Sequence, residues 1–377
     1  MEKLFDIVIT TVFGLESVVK KECEKLGFDN LIVQNGKIEF KGSQRDIVIA
    51  NLWLRSAERV FIKLIEIDAL SYDDIYDNVK AFNWEDYLSE DGKYIVQGKS
   101  QKSKMHSISD NQSITKKAII DRLQKTYNKK WFDETKEEYK IHINIFSDKA
   151  TVLLDTSGTG LHKRGYRTSQ NQAPIKETLA AALVQLSNWD GDTPFVDLFC
   201  GSGTIPIEAA LIAKNIAPGI SRDFDFNYWK FIDKNIYKEE KVKAYKAIND
   251  KKLDIMGFDI DYNTVQIAIS NAINAGVDED IKFVTKDVAK VGLKNNFGTI
   301  ISNPPYGERM GDEDTLNHIY KTLSILHKKL TTWSFYYVTA DKSFEINIDA
   351  LSDRKRKLYN GRIEVDYYQY YGPNLLI

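Results

Sequence analysis

One stretch constrains the fold more than any other: Phe195-Val196-Asp197-Leu198-Phe199-Cys200-Gly201-Ser202-Gly203-Thr204-Ile205-Pro206. The apolar run Phe195 to Phe199 reads as a buried parallel strand. It breaks into a loop of small residues, and Pro206 suits the first turn of a helix continuing to Ala213. Glycines at 201 and 203 allow backbone dihedrals and a close ligand approach that a side chain would forbid. Strand, glycine loop and helix in this order are how an α/β fold builds a crevice at the carboxyl end of its sheet.

The residues around that loop restrict what the crevice holds. A dinucleotide loop needs G-x-G-x-x-G beneath a pyrophosphate, but Pro206 occupies the third glycine position. Asp197, at the strand end, would repel a pyrophosphate and suits a cationic ligand. S-adenosylmethionine (SAM), with its amino group and sulfonium and no phosphate, fits. About a hundred residues on, Thr299-Ile300-Ile301-Ser302-Asn303-Pro304-Pro305-Tyr306-Gly307 is a second buried strand halted by a double proline. The prolines deny the chain both helix and ladder, which predicts a stiff, exposed backbone at 303–306. The Asn303 side-chain oxygen and the Pro304 carbonyl can accept both hydrogens of an exocyclic amine, while Tyr306 offers a face for an extruded base.

On these residues the chain resembles the class I SAM-dependent methyltransferases that modify exocyclic amines of nucleobases. Leu161-His162-Lys163-Arg164-Gly165-Tyr166-Arg167 and Ala173-Pro174-Ile175-Lys176-Glu177-Thr178-Leu179-Ala180 narrow the match. They are similar to THUMP-domain RNA methylases, in particular the large-subunit (23S) rRNA guanine-N2 methyltransferases. The resemblance implies a Rossmann-like, mostly parallel seven-stranded sheet with a terminal antiparallel hairpin, preceded by an α+β RNA-binding region containing a THUMP domain. It implies methyl transfer from SAM to guanosine N2 in large-subunit rRNA, with Asn303, Pro304, Pro305 and Tyr306 at the reacting amine. Two rivals stay open: an adenine-N6 nucleic-acid methylase, and an RNA-binding protein on a degenerate methylase scaffold. A tRNA guanosine is the alternative substrate.

The expected cofactor residues are Asp197, Phe199, Gly201, Ser202, Gly203 and Thr204 of the first loop, then Asp259, Asp287 and Asn303. By resemblance, Pro174 and Thr178 near the start of a helix at 176–187 join them. Asp197 and Asp259 stand 62 positions apart, where a dinucleotide fold expects about 20 before its ribose-binding acid. An insertion from Asn215 to Lys252 accounts for the excess. Ile255 to Asp259 can still be the second strand, with Asp259 or Asp261 on the ribose, and Ile281 to Thr285 the third, with Asp287 facing the adenine amine. The insertion mixes Arg222 with Phe224, Tyr228 and Trp229, which can stack bases or cover the sheet. Cys200 reads as packing, since an amine attacks SAM without a covalent intermediate. The chain closes with a helix at 316–330, a strand at 334–338 and a hairpin turning at Asn360-Gly361.

The 377 residues suffice for several domains. The expected division is a ferredoxin-like α+β unit at 1–65, a THUMP domain at 66–156, a linker at 157–172 and the methylase at 173–377. No apolar run is long enough to span a membrane, and Met1 to Asp6 lack a signal peptide's apolar core. Two cysteines and five scattered histidines offer neither a disulfide framework nor metal-ligand spacing, so a reducing cytoplasm and no metal are expected. Net charge is −2, so a nucleic-acid surface has to be local. From Glu66 to Asp91 nine acidic residues face one basic, while Lys99 to Lys130 hold nine basic residues against two acidic, a net of +7. Such a run is a solvated face or a phosphate-backbone site. For the second reading the candidates are Lys99, Lys102, Lys104, Lys116, Lys117 and Lys125, with Lys163, Arg164 and Arg167 of the linker.

Overall fold

The computed structural model describes residues 3–167, 175–294, 297–306 and 313–373. Two seven-stranded sheets organise it.

The first sheet is built from β1 (Phe5–Thr11), β2 (Ile32–Gln34), β3 (Lys37–Gly42), β4 (Ala57–Asp68), β5 (Lys93–Gln101), β6 (Glu138–Phe146) and β7 (Lys149–Asp155). Their order is β2-β3-β1-β4-β7-β6-β5, antiparallel except for the β5–β6 edge pair. The helices between them are α1 (Glu16–Lys25), α2 (Gln44–Trp53), α3 (Tyr72–Ala81) and α4 (Ile108–Tyr127). α2 starts three residues before its apolar pattern because Ser43 and Asp46 form a capping box, and the same device, Ser71 with Asp74, starts α3. β4 crosses the expected boundary at 65 without interruption. It pairs with β1 through Ala57–Lys63 and with β7 through Phe61–Asp68, so the two N-terminal units share one sheet and one core.

The second sheet contains β8 (Phe195–Asp197), β9 (Ile255–Asp259), β10 (Ile281–Thr285), β11 (Gly298–Ser302), β12 (Trp333–Thr339), β13 (Arg354–Asn360) and β14 (Ile363–Tyr370). The order β10-β9-β8-β11-β12-β14-β13 is parallel up to β12, and the terminal hairpin is antiparallel. The expected α/β architecture is therefore present. Its crossovers use α5 (Glu177–Leu186), α6 (Thr204–Ala213), α7 (Lys234–Lys246), α8 (Tyr262–Ala275), α9 (Glu313–Lys329) and the short α10 (Phe344–Asn347). α6 begins at Thr204, so Pro206 stands third in the helix, still inside the turn whose N–H groups lack intrahelical partners. The chain leaves β8 toward β9 and β10 on one side, then returns to β11 on the other. That reversal opens a crevice between β8 and β11 at their carboxyl ends.

The 215–252 insertion packs Phe224, Phe226 and Trp229 against the first sheet and leaves Tyr228 and Tyr245 exposed. Phe224, Phe226 and Trp229 are fully buried in the first sheet's core, with Trp229 stacked on Tyr139 at 5.4 Å. Arg222 is buried too, donating to the carbonyls of Gly160 and Thr159. Of the four insertion residues singled out, only Tyr228 is exposed.

Candidate active site

A cavity of about 570 Å³ lies at the reversal point. Asp197, Phe199, Gly201, Ser202 and Thr204 line it from the first loop, Asp259 from the end of β9, and Asp287 from beyond β10. Asn303, Pro304, Pro305 and Tyr306 form the wall beyond β11. Stretches separated by a hundred residues of sequence thus meet around one space. Pro304 and Tyr306 are buried and Asn303 and Pro305 half-buried, so the double-proline segment faces the cavity and is not the exposed backbone its composition suggests.

The carboxylates differ in environment. Asp259 accepts the Gly201 N–H at 3.0 Å with one oxygen and the Asp261 N–H at 3.0 Å with the other, which fixes the glycine loop above β9. Asp261 caps α8, accepting from the Asn263 N–H at 2.8 Å and the Thr264 hydroxyl, and does not line the cavity. Asp287 accepts the Ala289 N–H at 2.9 Å. Asp197 is 1% exposed; burial pushes its carboxyl up to about 7, and the nearby Asp259 charge adds to the rise. The Phe199 N–H at 3.1 Å and the Ser302 hydroxyl oppose that shift by donating to it. Ser302 also accepts the Leu198 N–H at 2.8 Å, so one buried hydroxyl joins the end of β8 to the end of β11, just before Asn303.

Several expected site residues sit elsewhere. Gly203 takes φ +82° at the start of α6, and a Cβ there would strike Phe283 at 2.9 Å, so packing and the turn require it, not a cavity contact. Thr178 turns away from the cavity and donates to Glu58 of β4 at 2.9 Å, beside the Lys176–Glu58 ion pair. Pro174 lies outside the described residues, as does Gly307. Cys200 is buried and its thiol is raised well above the ordinary value by burial, which keeps it protonated.

The linker arginines require correction. Arg164 is 4% exposed, ion-paired with Glu208 of α6 at 3.4 Å and donating to the carbonyls of Leu161 and Arg55. Arg167 donates to the Thr204 hydroxyl at 2.6 Å and the Ile175 carbonyl at 3.2 Å, and pairs with Glu177 at 3.5 Å. Arg164 is buried and Arg167 half-buried, their guanidinium groups taken up inside the protein; Lys163 alone of the three is exposed. Because Ile175 and Thr204 both line the cavity, Arg167 clamps two of its walls together. Arg167→Ala is expected to weaken SAM binding roughly tenfold to a hundredfold, the loss of hydrogen bonds from a charged group. Arg167→Lys should restore part of it, and RNA affinity measured without cofactor should not move. Titration calorimetry with SAM and a filter-binding assay with RNA separate these outcomes.

Sequence reasoning missed the apolar side of the cavity, Ile175, Ile260, Val288 and Ile319, as well as Lys286 and His318. Ile260 was the findable one: an isoleucine between Asp259 and Asp261, 72% exposed, follows a strand-end acid just as Val288 follows Asp287.

The basic run is not uniformly free. α3, in the acidic run, packs against α4, in the basic one, and neighbouring acids take up much of the charge: Lys116 pairs with Glu134, Arg122 with Glu85, and Lys129 with Glu90. Lys99, Lys102, Lys104, Lys117 and Lys125 are exposed and form no ion pair among the described residues.

Comparison with known proteins places this geometry in a family. Residues 164–369 match the family described as RMKL-like, methyltransferase domain; residues 6–61 match the RlmL ferredoxin-like domain and 69–155 the THUMP domain. The chain belongs to the RlmL-like, THUMP-domain RNA methyltransferases. It is 45% identical over 372 residues to the Bacillus subtilis (strain 168) protein named "Putative RNA methyltransferase YpsC", covering 98% of this chain and 96% of that one. Its structure matches a Listeria monocytogenes str. 4b F2365 protein, described as a "predicted N6-adenine-specific DNA methylase", with a TM-score of 0.94 and 44% identity over 98% and 97% of the two chains. SMU.472, solved with S-adenosylhomocysteine (SAH), matches at 0.94 and 42% identity over the full length of both. The methyltransferase uses SAM as its donor. The lining is chemically suited to that molecule: it offers carboxylates for cationic and hydroxyl groups, open space beside Gly201, and apolar faces at Ile260 and Val288. Among the described residues no helix is long and apolar enough to cross a membrane.

Proposed function

We propose that this methyltransferase transfers the SAM methyl group to the exocyclic N2 amine of a guanosine in large-subunit (23S) rRNA, in the cytoplasm. The observation that carries this is the shared cavity, in which Asn303-Pro304-Pro305-Tyr306 lines the same space as the glycine loop, Asp259 and Asp287. In this reading Asp259 accepts from the ribose hydroxyls, Asp287 from the adenine amine, and Asp197 takes the cationic end of the methionine moiety. SAM supplies a methyl group made electrophilic by its sulfonium. The protein's own task is alignment. The Asn303 amide oxygen and the Pro304 carbonyl accept the two amine hydrogens, which turns the nitrogen lone pair toward the methyl group. Tyr306 presents its ring to the extruded base. The nitrogen takes the methyl as the carbon–sulfur bond breaks, the electron pair staying with sulfur in neutral S-adenosylhomocysteine, and the nitrogen then releases one proton to water. The free, buried cysteines suit a reducing compartment.

A second reading has a specific basis, since the same amine clamp serves adenine N6 and the Listeria relative carries that description. One assay decides between them. The protein is incubated with labelled SAM and, separately, with rRNA lacking the modification, tRNA and duplex DNA, and the products are digested to nucleosides for mass spectrometry. N2-methylguanosine from the rRNA is the expected result. N6-methyladenosine, or label in DNA alone, would replace the guanine assignment, and N2-methylguanosine in tRNA would replace the rRNA one.

A further inference from the structure

The loop after α4 holds an aromatic side chain that neither folding nor the cavity uses. Asn128 ends the helix in the left-handed region, φ +52°, and the chain folds back on itself. The Lys129 N–H returns to the Gln124 carbonyl at 3.2 Å, and the Gln124 side chain donates to the Lys130 carbonyl at 2.7 Å. Two residues on, Phe132 is buried edge-on to Tyr94 and Tyr127, with ring centroids 6.2 and 6.5 Å away. Glu134 is held by Lys116 at 3.1 Å. The loop is therefore pinned on both sides of Trp131, yet Trp131 is 77% exposed. Of the other five tryptophans, Trp84, Trp189, Trp229 and Trp333 are buried and Trp53 is half-buried.

Its surroundings are mainly cationic. Lys130, its neighbour in the chain, lines an open recess of about 500 Å³ with Lys80, Lys125 and Lys129; the acid that shares the recess, Asp121, accepts from the Tyr76 hydroxyl at 2.5 Å. Lys129 is neutralised by Glu90 at 2.5 Å, and Lys80 donates to the Tyr76 hydroxyl at 2.9 Å. Lys125 and Lys130 are exposed and make no ion pair among the described residues. A protein partner is met by an aromatic anchor within an apolar patch. A rigidly presented indole bordered by free ammonium groups instead matches single-stranded nucleic acid, whose bases stack on aromatic faces while phosphates take the cations.

We propose that Trp131 and the adjoining lysine recess bind an unpaired RNA segment, the indole stacking on a base and Lys125 and Lys130 contacting flanking phosphates. This deepens the reading of the chain as an RNA methyltransferase, and it can be tested without catalysis. The full chain is titrated with a fluorescein-labelled twelve-nucleotide oligoadenylate, without SAM, and iodide quenching of tryptophan emission is followed in parallel. Because Trp131 is far more exposed than the other indoles, iodide reports chiefly on it. The RNA is expected to quench the emission and shield it from iodide. Trp131→Ala should weaken binding about fivefold to a hundredfold, the contribution of one stacked base, and Trp131→Phe should recover most of it. Lys125→Gln with Lys130→Gln should reduce the log–log salt slope by about 0.7 for each phosphate no longer neutralised. Unchanged affinity in Trp131→Ala overturns the proposal, as does equal shielding by polyglutamate. If oligoadenylate binds at Trp131 while no RNA is methylated, the catalytic reading fails and this site stands. If methylation proceeds with an unaltered KM in Trp131→Ala, the site fails and the catalytic reading stands.

Discussion

Asn303→Ala is expected to bind SAM as the unaltered protein does while losing a hundredfold to a thousandfold in the methylation rate at saturating RNA and cofactor. The dissociation follows from the geometry. The carboxylates proposed to hold the cofactor stand on β8, β9 and the segment after β10, whereas Asn303 stands at the end of β11 on the opposite wall. Removing the amide leaves the first set in place, and Ser302, which anchors the strand end through Leu198 and Asp197, is untouched. What disappears is one acceptor preorganised toward the amine at the moment the nitrogen attacks, a contribution of about 3–4 kcal/mol where such groups have been removed from water-excluded sites. Single-turnover methylation with a parallel SAM titration checks both halves. A rate within threefold of the unaltered protein would remove Asn303 from the chemistry; equal losses in rate and SAM affinity would place it among the cofactor-binding residues.

Asp197→Asn should move function and stability in opposite directions. Burial raises the Asp197 carboxyl to about 7 in the folded protein, against about 4 for an ordinary aspartate. Between those values the folded chain holds a proton that the unfolded chain has released, so stability falls as pH rises from 4 to 7 and stays low above it. At 1.4 kcal/mol per pH unit the penalty is about 4 kcal/mol at most. Without ligand, Asp197→Asn is expected to melt several degrees higher at pH 8 and to lose this part of the pH dependence. A bound cation reverses the preference by favouring the carboxylate. SAM affinity in the unaltered protein should therefore drop about fivefold from pH 7 to pH 6, with proton uptake on release. In Asp197→Asn it should be weaker by about 1–3 kcal/mol at pH 8 and flat over the same range. Calorimetry in buffers of different ionisation enthalpy reads the proton directly. A pH-independent affinity in the unaltered protein would show that Asp197 does not face the ligand's charge.

The parts of this arrangement that were legible are those encoded within a few residues. The glycine loop, the double proline and the apolar strands each carry their own dihedral or periodic signal, and their order along the chain fixed the sheet. Burial of charge was not legible, because it depends on partners far away. Arg164 and Arg167 in a glycine-containing connector read as solvent-facing cations, and only the fold brings Glu208 and Glu177 to them. A clue existed on the partner side: Glu208 is the single charged residue in α6 and Glu177 in α5, each in an otherwise largely apolar helix where a carboxylate needs a counterion. The charge polarity of residues 66–130 was equally visible, but its meaning turned on packing. The acidic and basic runs lie side by side and partly neutralise each other through Arg122–Glu85 and Lys129–Glu90, and Glu134 takes up Lys116, leaving a smaller set of free lysines than the count along the chain suggests.

β4 has a consequence for how such proteins can be recombined. The two N-terminal families meet inside it, one match ending at residue 61 and the next beginning at 69, yet the strand runs from 57 to 68 as a single ladder element. A chimera cut at that junction would sever hydrogen bonds to β1 or β7 and open a shared core. Residues up to 155 therefore have to move together, and a transplant also has to bring Phe224, Phe226, Trp229 and Ile232, which complete the same core from the methylase half. Exposed residues of this unit can be exchanged without cutting a ladder, whereas neither of its halves can.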